Sequence, residues 1–256
     1  MKKADLKEFL DAKVTQYNTA DFIPHDPIQI PHLFTNKEDI EIAGFLIATI
    51  SWGNRKSIIN NSKKWMQLME NAPADFIKNH EESDLNRFDG FVHRTFNATD
   101  CRTFLRALKH IYEEHGGLES AFAKAYTQQN NNLQAGISSF KQIFFEVDHE
   151  KRTLKHVSDP LKGSSAKRIN MFLRWMVRKD NAGVDFGIWD ALPSSALSLP
   201  LDVHTGNTAR KLKLLKRKQN DAKAVAELDL QLRKLDPVDP VKYDFALFGL
   251  GVFKEL

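Results

Sequence analysis

Asp159-Pro-Leu-Lys-Gly-Ser-Ser-Ala-Lys-Arg-Ile-Asn-Met-Phe-Leu-Arg-Trp-Met-Val177 reads as a short Gly/Ser turn that runs into an amphipathic helix. Ile169, Phe172, Leu173 and Met176 recur at helical spacing and define one apolar face. The predicted helix covers Ser165–Val177. Gly163, Ser164 and Ser165 then lie at the positive end of its dipole, where free backbone N–H groups suit a phosphate. Lys167 falls in the first turn beside Arg168. A positive neighbour, the dipole and partial burial all disfavour an ammonium at that place. A lysine so placed is the type that attacks an electrophilic carbon and forms a Schiff base. Taken alone, it also reads as a solvated side chain at a helix start.

Downstream, Leu199-Pro-Leu-Asp-Val-His-Thr-Gly-Asn-Thr-Ala-Arg-Lys-Leu212 brings an apolar approach to Asp202, which opens the next helix. As an N-cap Asp202 accepts backbone N–H bonds and stays a carboxylate. A fixed carboxylate can stabilise an oxocarbenium-like sugar cation or orient a nucleophile; alone, it also reads as a plain structural cap. Between the two segments, Asp180–Pro200 is rich in Gly, Asp, Pro and Ser and reads as a loop, with a helical turn near Ile188-Trp189-Asp190.

Outward from these segments the periodicity is helical nearly throughout. Leu6, Leu10, Val14 and Tyr17 form one stripe, and Ile42, Phe45, Leu46, Thr49 and Ile50 another. Helices fit Asp100–His115, stopped by Gly116-Gly117, then Leu118–Ala125, Leu133–Phe145, Val203–Leu215, Asp221–Leu235 and Val241–Gly249. Asp239 is placed as an N-cap with Pro240 at the first helical position. Strand patterns are nearly absent, Leu197–Val203 being the one stretch considered. The expected fold is all-α.

Composition bounds the function. With 42% hydrophobic and 27% charged residues the chain is globular. It contains no apolar run of the roughly 18 residues a membrane span needs and no signal-peptide core, so a cytoplasmic protein without membrane partners is expected. A single cysteine, Cys101, excludes an internal disulfide framework and a cysteine-rich metal site. His25, His32, His80 and His93 lack the spacing of a metal set, so no metal is expected. The run His93-Arg-Thr-Phe96 suits either substrate contact or loop packing. The net charge of +4 is unevenly spread, with nine Lys/Arg in Lys151–Lys179 and seven in Thr205–Lys223. Such clustering is the electrostatic footprint of a nucleic-acid binder.

The Leu161–Ile169 stretch resembles the hairpin of the helix-hairpin-helix DNA glycosylase superfamily, where Leu-Pro-Gly-x-Gly-x-Lys leads into a helix. Leu161, Gly163 and Lys167 fall on matching positions, while Lys162 replaces the proline and Ser165 the second glycine. Pro200-Leu-Asp-Val-His-Thr205 is similar to that superfamily's Val-Asp-x-His stretch, with Asp202 on the catalytic carboxylate. Gly44–Ile59 resembles the early helix–loop–helix that meets the DNA beside the extruded base, and puts Trp52, Asn54 and Arg55 in that loop. A flipped base leaves a gap that a polar or aromatic side chain must fill. Asp239–Gly251 resembles the last helix, which contributes to the base pocket in the oxoguanine branch. The 35 positions from Lys167 to Asp202 are nearest the archaeal-type 8-oxoguanine glycosylases. The whole chain also resembles an uncharacterised bacterial family marked by Lys-Arg-x-Asn-x-Phe-Leu-Arg-Trp-Met-Val-Arg and Pro-Leu-Asp-x-His segments.

The resemblance implies one glycosylase-like unit over residues 1–256, with lobes of roughly 1–60 plus 216–256 and 61–215 around a central cleft. It implies a monomeric DNA repair enzyme, a glycosylase with AP-lyase activity that excises a damaged purine such as 8-oxoguanine from duplex DNA without a cofactor. Lys167 is the expected nucleophile, Lys162 its substitute, and Asp202 the carboxylate. Trp52, Asn54, Arg55, Gly163, Ser164, Ser165, Arg168, His204 and Phe245 are the expected DNA and substrate contacts. The alternative is a non-catalytic helix-hairpin-helix module that binds structured DNA or RNA.

Overall fold

The computed structural model describes residues 3–255, and among them the chain is all-α apart from one small hairpin. In chain order the helices are α1 (Lys3–Tyr17), α2 (Lys37–Ile50), α3 (Arg55–Leu68), α4 (Pro73–Asn79), α5 (Ala98–Glu114) and α6 (Leu118–Gln128). They continue as α7 (Leu133–Phe144), α8 (Lys167–Val177), α9 (Val203–Lys211), α10 (Ala222–Leu235) and α11 (Tyr243–Val252). The hairpin joins β1 (Val92–His93) to β2 (Phe96–Asn97), with His93 opposite Phe96. Its turn holds Arg94 at φ +55°; His93 and Phe96 are buried and pack the hairpin, while Arg94 and Thr95 are exposed.

Short polar side chains set most helix starts. Asn36, Asn54, Asn97, Asn132, Asp202 and Asp221 each accept a backbone N–H of the helix they precede. The chain forms two compact units, one of the N-terminal segment to Ile23 with Asp159 onward, the other Pro24–Ser158. In the first, α11 lies against α1 and α9, and Leu10, Leu201, Leu228, Tyr243 and Leu247 share one core. In the second, Phe45 of α2 meets Phe104 of α5 and Phe140 and Phe144 of α7 at centroid distances of 5.2–6.1 Å. The boundaries therefore differ from the expected ones near residues 60 and 215. Phe45 ties α2 to the aromatic core, whereas α8 and α9 stay with the C-terminal helices.

Two local expectations are corrected. Ile188-Trp189-Asp190 forms no helical turn; the only 3-10 turn in that loop is Ser194–Ala196. Instead, the N–H groups of Phe186 and Trp189 close the α8 carbonyls of Trp175 and Met176 at 2.8 and 2.9 Å, satisfying a helix end internally. Asp239 and Pro240 stand where expected, at the N-cap and first position of the 3-10 turn Pro240–Lys242 that precedes α11, but the Asp239 side chain makes no cap bond. Its carboxylate faces Arg178 instead, accepting from Nε at 2.9 and 3.1 Å. No strand forms at Leu197–Val203. Among the described residues no helix is long and apolar enough to cross a membrane.

Candidate active site

The site lies within the unit that contains α8, α9 and α11. Asp159 caps the 3-10 turn Pro160–Lys162 by accepting from Leu161 N–H at 3.1 Å. Gly163 follows at φ +90°, a conformation glycine adopts without the cost a side chain brings. Its carbonyl accepts from Ala222 N–H at 3.0 Å, which anchors the turn to the start of α10. The turn's N–H groups are less available than expected: Gly163 donates to Pro160 O, Ser164 to Asp159 O, and Ala166 to Ser164 Oγ. Ser165 contributes its carbonyl to Asn170 Nδ2 at 3.1 Å. Among residues 145–166 the segments preceding α8 are 3-10 turns, Lys151–His156 and Pro160–Lys162, rather than an α-helix.

Helix α8 starts in an unusual way. Its N-cap, Ala166, is buried at φ +46° and makes no side-chain cap bond. Left-handed backbone at a non-glycine residue costs about 1–2 kcal/mol, and here it aims the first helical residue, Lys167. Lys167 Nζ stands 3.9 Å from Asp202 Oδ2, with the side chains 32% and 20% exposed. Asp202 is fixed from two sides: Oδ1 accepts from Thr205 N–H at 2.9 Å, and its carbonyl accepts from Asn220 Nδ2 at 2.9 Å. One carboxylate oxygen thus holds α9 while the other faces the lysine. Lys162, the substitute nucleophile, is 82% exposed and lies 4.0 Å from Asp159. The structure brings Lys167 to Asp202 and pairs Lys162 with a different acid.

A buried ion network lies on the same elements. Arg174 of α8 bonds Asp244 of α11 and, at 3.2 Å, Asp185. Arg178 bonds Asp185 at 3.2 Å, Asp180 at 2.6 Å and Asp239. Burial pushes the Asp244 carboxyl up to about 6; the charge of Asp202 adds to the rise, and Arg174 and Lys167 oppose it. Burial likewise raises the carboxyls of Asp185 and Asp239 against the pull of their arginines. Thr205 Oγ1 donates to Asp244 at 3.5 Å, linking this network to the helix that Asp202 caps. The sequence reading missed Arg174, Asp185 and Asp244 as a set. The available signal was the pair Arg174 and Arg178, one helical turn apart on a helix whose neighbouring residues are apolar, since a buried guanidinium needs a carboxylate.

The remaining expected contacts separate. Arg168 is half-buried, and burial pulls its guanidinium down to about 10. His204 is exposed on the first turn of α9, its ring 6.1 Å from that of Phe248. It opens onto a groove of about 550 Å³ along α9 and the end of α11, lined also by Asn207, Arg210, Lys211, Gly251 and Lys254. A Cβ at Gly251 would meet Thr208 Oγ1 at 2.9 Å, so α11 crosses α9 there at glycine distance. Phe245 is a core residue. It is 1% exposed, with the Arg174 guanidinium over its face at 4.3 Å and Phe22 at its edge. Trp52, Asn54 and Arg55 belong to the Pro24–Ser158 unit. There Trp52 sits against the rings of His93 and His156, and Asn54 caps α3 through Ser57 N–H at 3.3 Å. Arg55 is exposed.

The basic runs also shrink as a surface footprint. Arg174 and Arg178 are buried, Arg152 bonds Asp100, Arg210 bonds Asn220 and the Arg217 carbonyl, and Arg217 bonds Asp221.

Residues 26–253 match the family described as Protein of unknown function (DUF2400). The chain belongs to the DUF2400 family. The match takes in both Lys167 and Asp202, nearly all of the Pro24–Ser158 unit and the Asp159-onward part of the other, while α1 lies outside it. No curated protein and no solved structure matches the chain.

Proposed function

We propose that this member of the DUF2400 family is a DNA glycosylase with AP-lyase activity that acts on a damaged purine such as 8-oxoguanine. Lys167 and Asp202 are its catalytic pair. The reading rests on one observation: Lys167 Nζ lies 3.9 Å from a carboxylate oxygen of a helix-capping aspartate, at the start of two helices in one unit. In this mechanism Lys167 gives its ammonium proton to the departing base, and the resulting amine attacks C1′ of the extruded nucleotide. The glycosidic bond breaks and its electrons leave with the base, which takes up that proton. Asp202 stabilises the positive charge that develops on the sugar. Ring opening gives a Schiff base at C1′, and loss of a 2′ proton then expels the 3′ phosphate and cleaves the strand.

The test is incubation of the full chain with lesion-containing duplexes and borohydride, which reduces the Schiff base to a stable amine. The expected result is a covalent protein–DNA adduct that Lys167→Ala abolishes. Binding without any adduct, weakening steeply as salt rises, would instead assign the fold to a non-catalytic module for structured DNA or RNA. Strand cleavage that survives in Lys167→Ala would refute the lyase assignment.

A further inference from the structure

We propose that His110, His115 and Glu146 form a binding site for a zinc-type divalent metal ion in the Pro24–Ser158 unit, where the sequence reading expected none. This inference is independent of the Lys167–Asp202 reading. His110 lies on the last turns of α5, and His115 is the residue at which α5 ends. Gly116 and Gly117, at φ +71° and +94°, terminate the helix, and Gly117 N–H returns to Ile111 O at 3.1 Å. This ending places the two imidazoles with their centroids 5.2 Å apart. Glu146 follows α7, whose Phe144 packs on Phe104 of α5 at 4.9 Å. The aromatic core therefore delivers the carboxylate to the histidines.

The donor atoms converge. His110 Nε2 and His115 Nε2 each lie 3.0 Å from the same oxygen, Glu146 Oε2, and all three ligand atoms fall within 4.8 Å of one another. In a tetrahedral zinc site, ligand atoms about 2.0–2.2 Å from the metal stand about 3.4 Å apart. To admit the ion the two 3.0 Å contacts open by a few tenths of an ångström and the two imidazole nitrogens, within 4.8 Å of each other, settle about 3.4 Å apart; the exposed Glu146 can follow that adjustment. Two imidazole nitrogens and one carboxylate oxygen suit zinc, nickel or copper, whereas magnesium and calcium prefer all-oxygen shells. Three protein ligands leave a fourth position for water. The ion would join the end of α5 to the segment after α7 and stabilise the unit by mass action.

The probe is Zn²⁺ itself, titrated by calorimetry into the chelator-treated 256-residue chain, with Mg²⁺ as control and Co²⁺ absorption as a second readout. One equivalent of Zn²⁺ should bind at micromolar concentration and raise the thermal midpoint, while Mg²⁺ does neither. Glu146→Gln and His110→Ala should each weaken binding by more than about tenfold. Because His115 ends a helix, the half-exposed Glu146 carries the test: its amide variant removes a ligand without disturbing a cap. Failure of the wild type to take up Zn²⁺, or undiminished uptake by Glu146→Gln and His110→Ala, would overturn the proposal.

Discussion

Helix α8 carries two cations that each face an aspartate, in opposite surroundings. At its start Lys167 meets Asp202 across 3.9 Å, and both side chains keep contact with solvent. Two turns later Arg174 meets Asp244 with the side chains only 4% and 9% exposed, and it also bonds the buried Asp185. The closed pair has its hydrogen bonds satisfied by the protein and leaves a substrate no place to enter. The open pair is longer than a hydrogen bond, and its lysine is the mobile member, because Asp202 is held by Thr205 and Asn220. One helix thus carries a buried ion pair and a solvent-accessible one, and only the second is open to the proposed chemistry.

The largest expected effect of substitution is at the closed pair. Arg174→Ala leaves Asp185 and Asp244 buried without that partner, and should cost about 3–5 kcal/mol in urea unfolding. A loss below about 1 kcal/mol would mean that the network does not hold α8. The pH dependence follows from Asp244, whose carboxyl ionises near 6 when folded against an ordinary 3.8. Between those values the folded state binds the extra proton, so this group's contribution is fully present below about pH 4 and lost as pH rises through 6. Thermal midpoints measured from pH 4 to 7 should therefore fall less steeply with rising pH in Asp244→Asn than in the wild type. At the open pair Asp202→Ala removes a cap and should cost about 1 kcal/mol. Asp202→Asn retains a capping oxygen and should leave stability nearly unchanged while removing the charge that the proposed base excision requires. Lys167→Ala should change stability by no more than about 0.5 kcal/mol, as the exposed member of the open pair, yet abolish adduct formation.

Legibility in the sequence tracks how local the governing interaction is. Asp202 and the helix it opens were readable because a cap acts within three residues, and the apolar stripes of α1, α2 and α8 were readable because helical spacing is local. Pairing Lys167 with Asp202 needed two motifs read together, since each residue alone also fits a structural role. The Arg174 network was not readable, because its carboxylates at 185, 239 and 244 come from a loop, a 3-10 turn and another helix. Counting arginines as surface charge hid them. Asp239 stands at the N-cap that Asp-Pro predicts, yet its carboxylate bonds Arg178 rather than a backbone N–H, a long-range partner that local spacing does not show. Phe245 was given to a pocket on resemblance alone, whereas the Arg174 guanidinium covers its face. His110, His115 and Glu146 escaped notice because a helix end and the core packing of α7 bring them together.

The division of α8 into a closed and an open pair is tested most directly by mapping where DNA becomes attached. Borohydride-reduced adducts formed on lesion-containing duplexes are digested with nuclease and protease, and the modified peptide is sequenced by mass spectrometry. The predicted result is a deoxyribose-derived mass on Lys167 that is absent from Lys162 and lost in Asp202→Asn. Attachment at Lys162 or another lysine, with Lys167 unmodified, would contradict it.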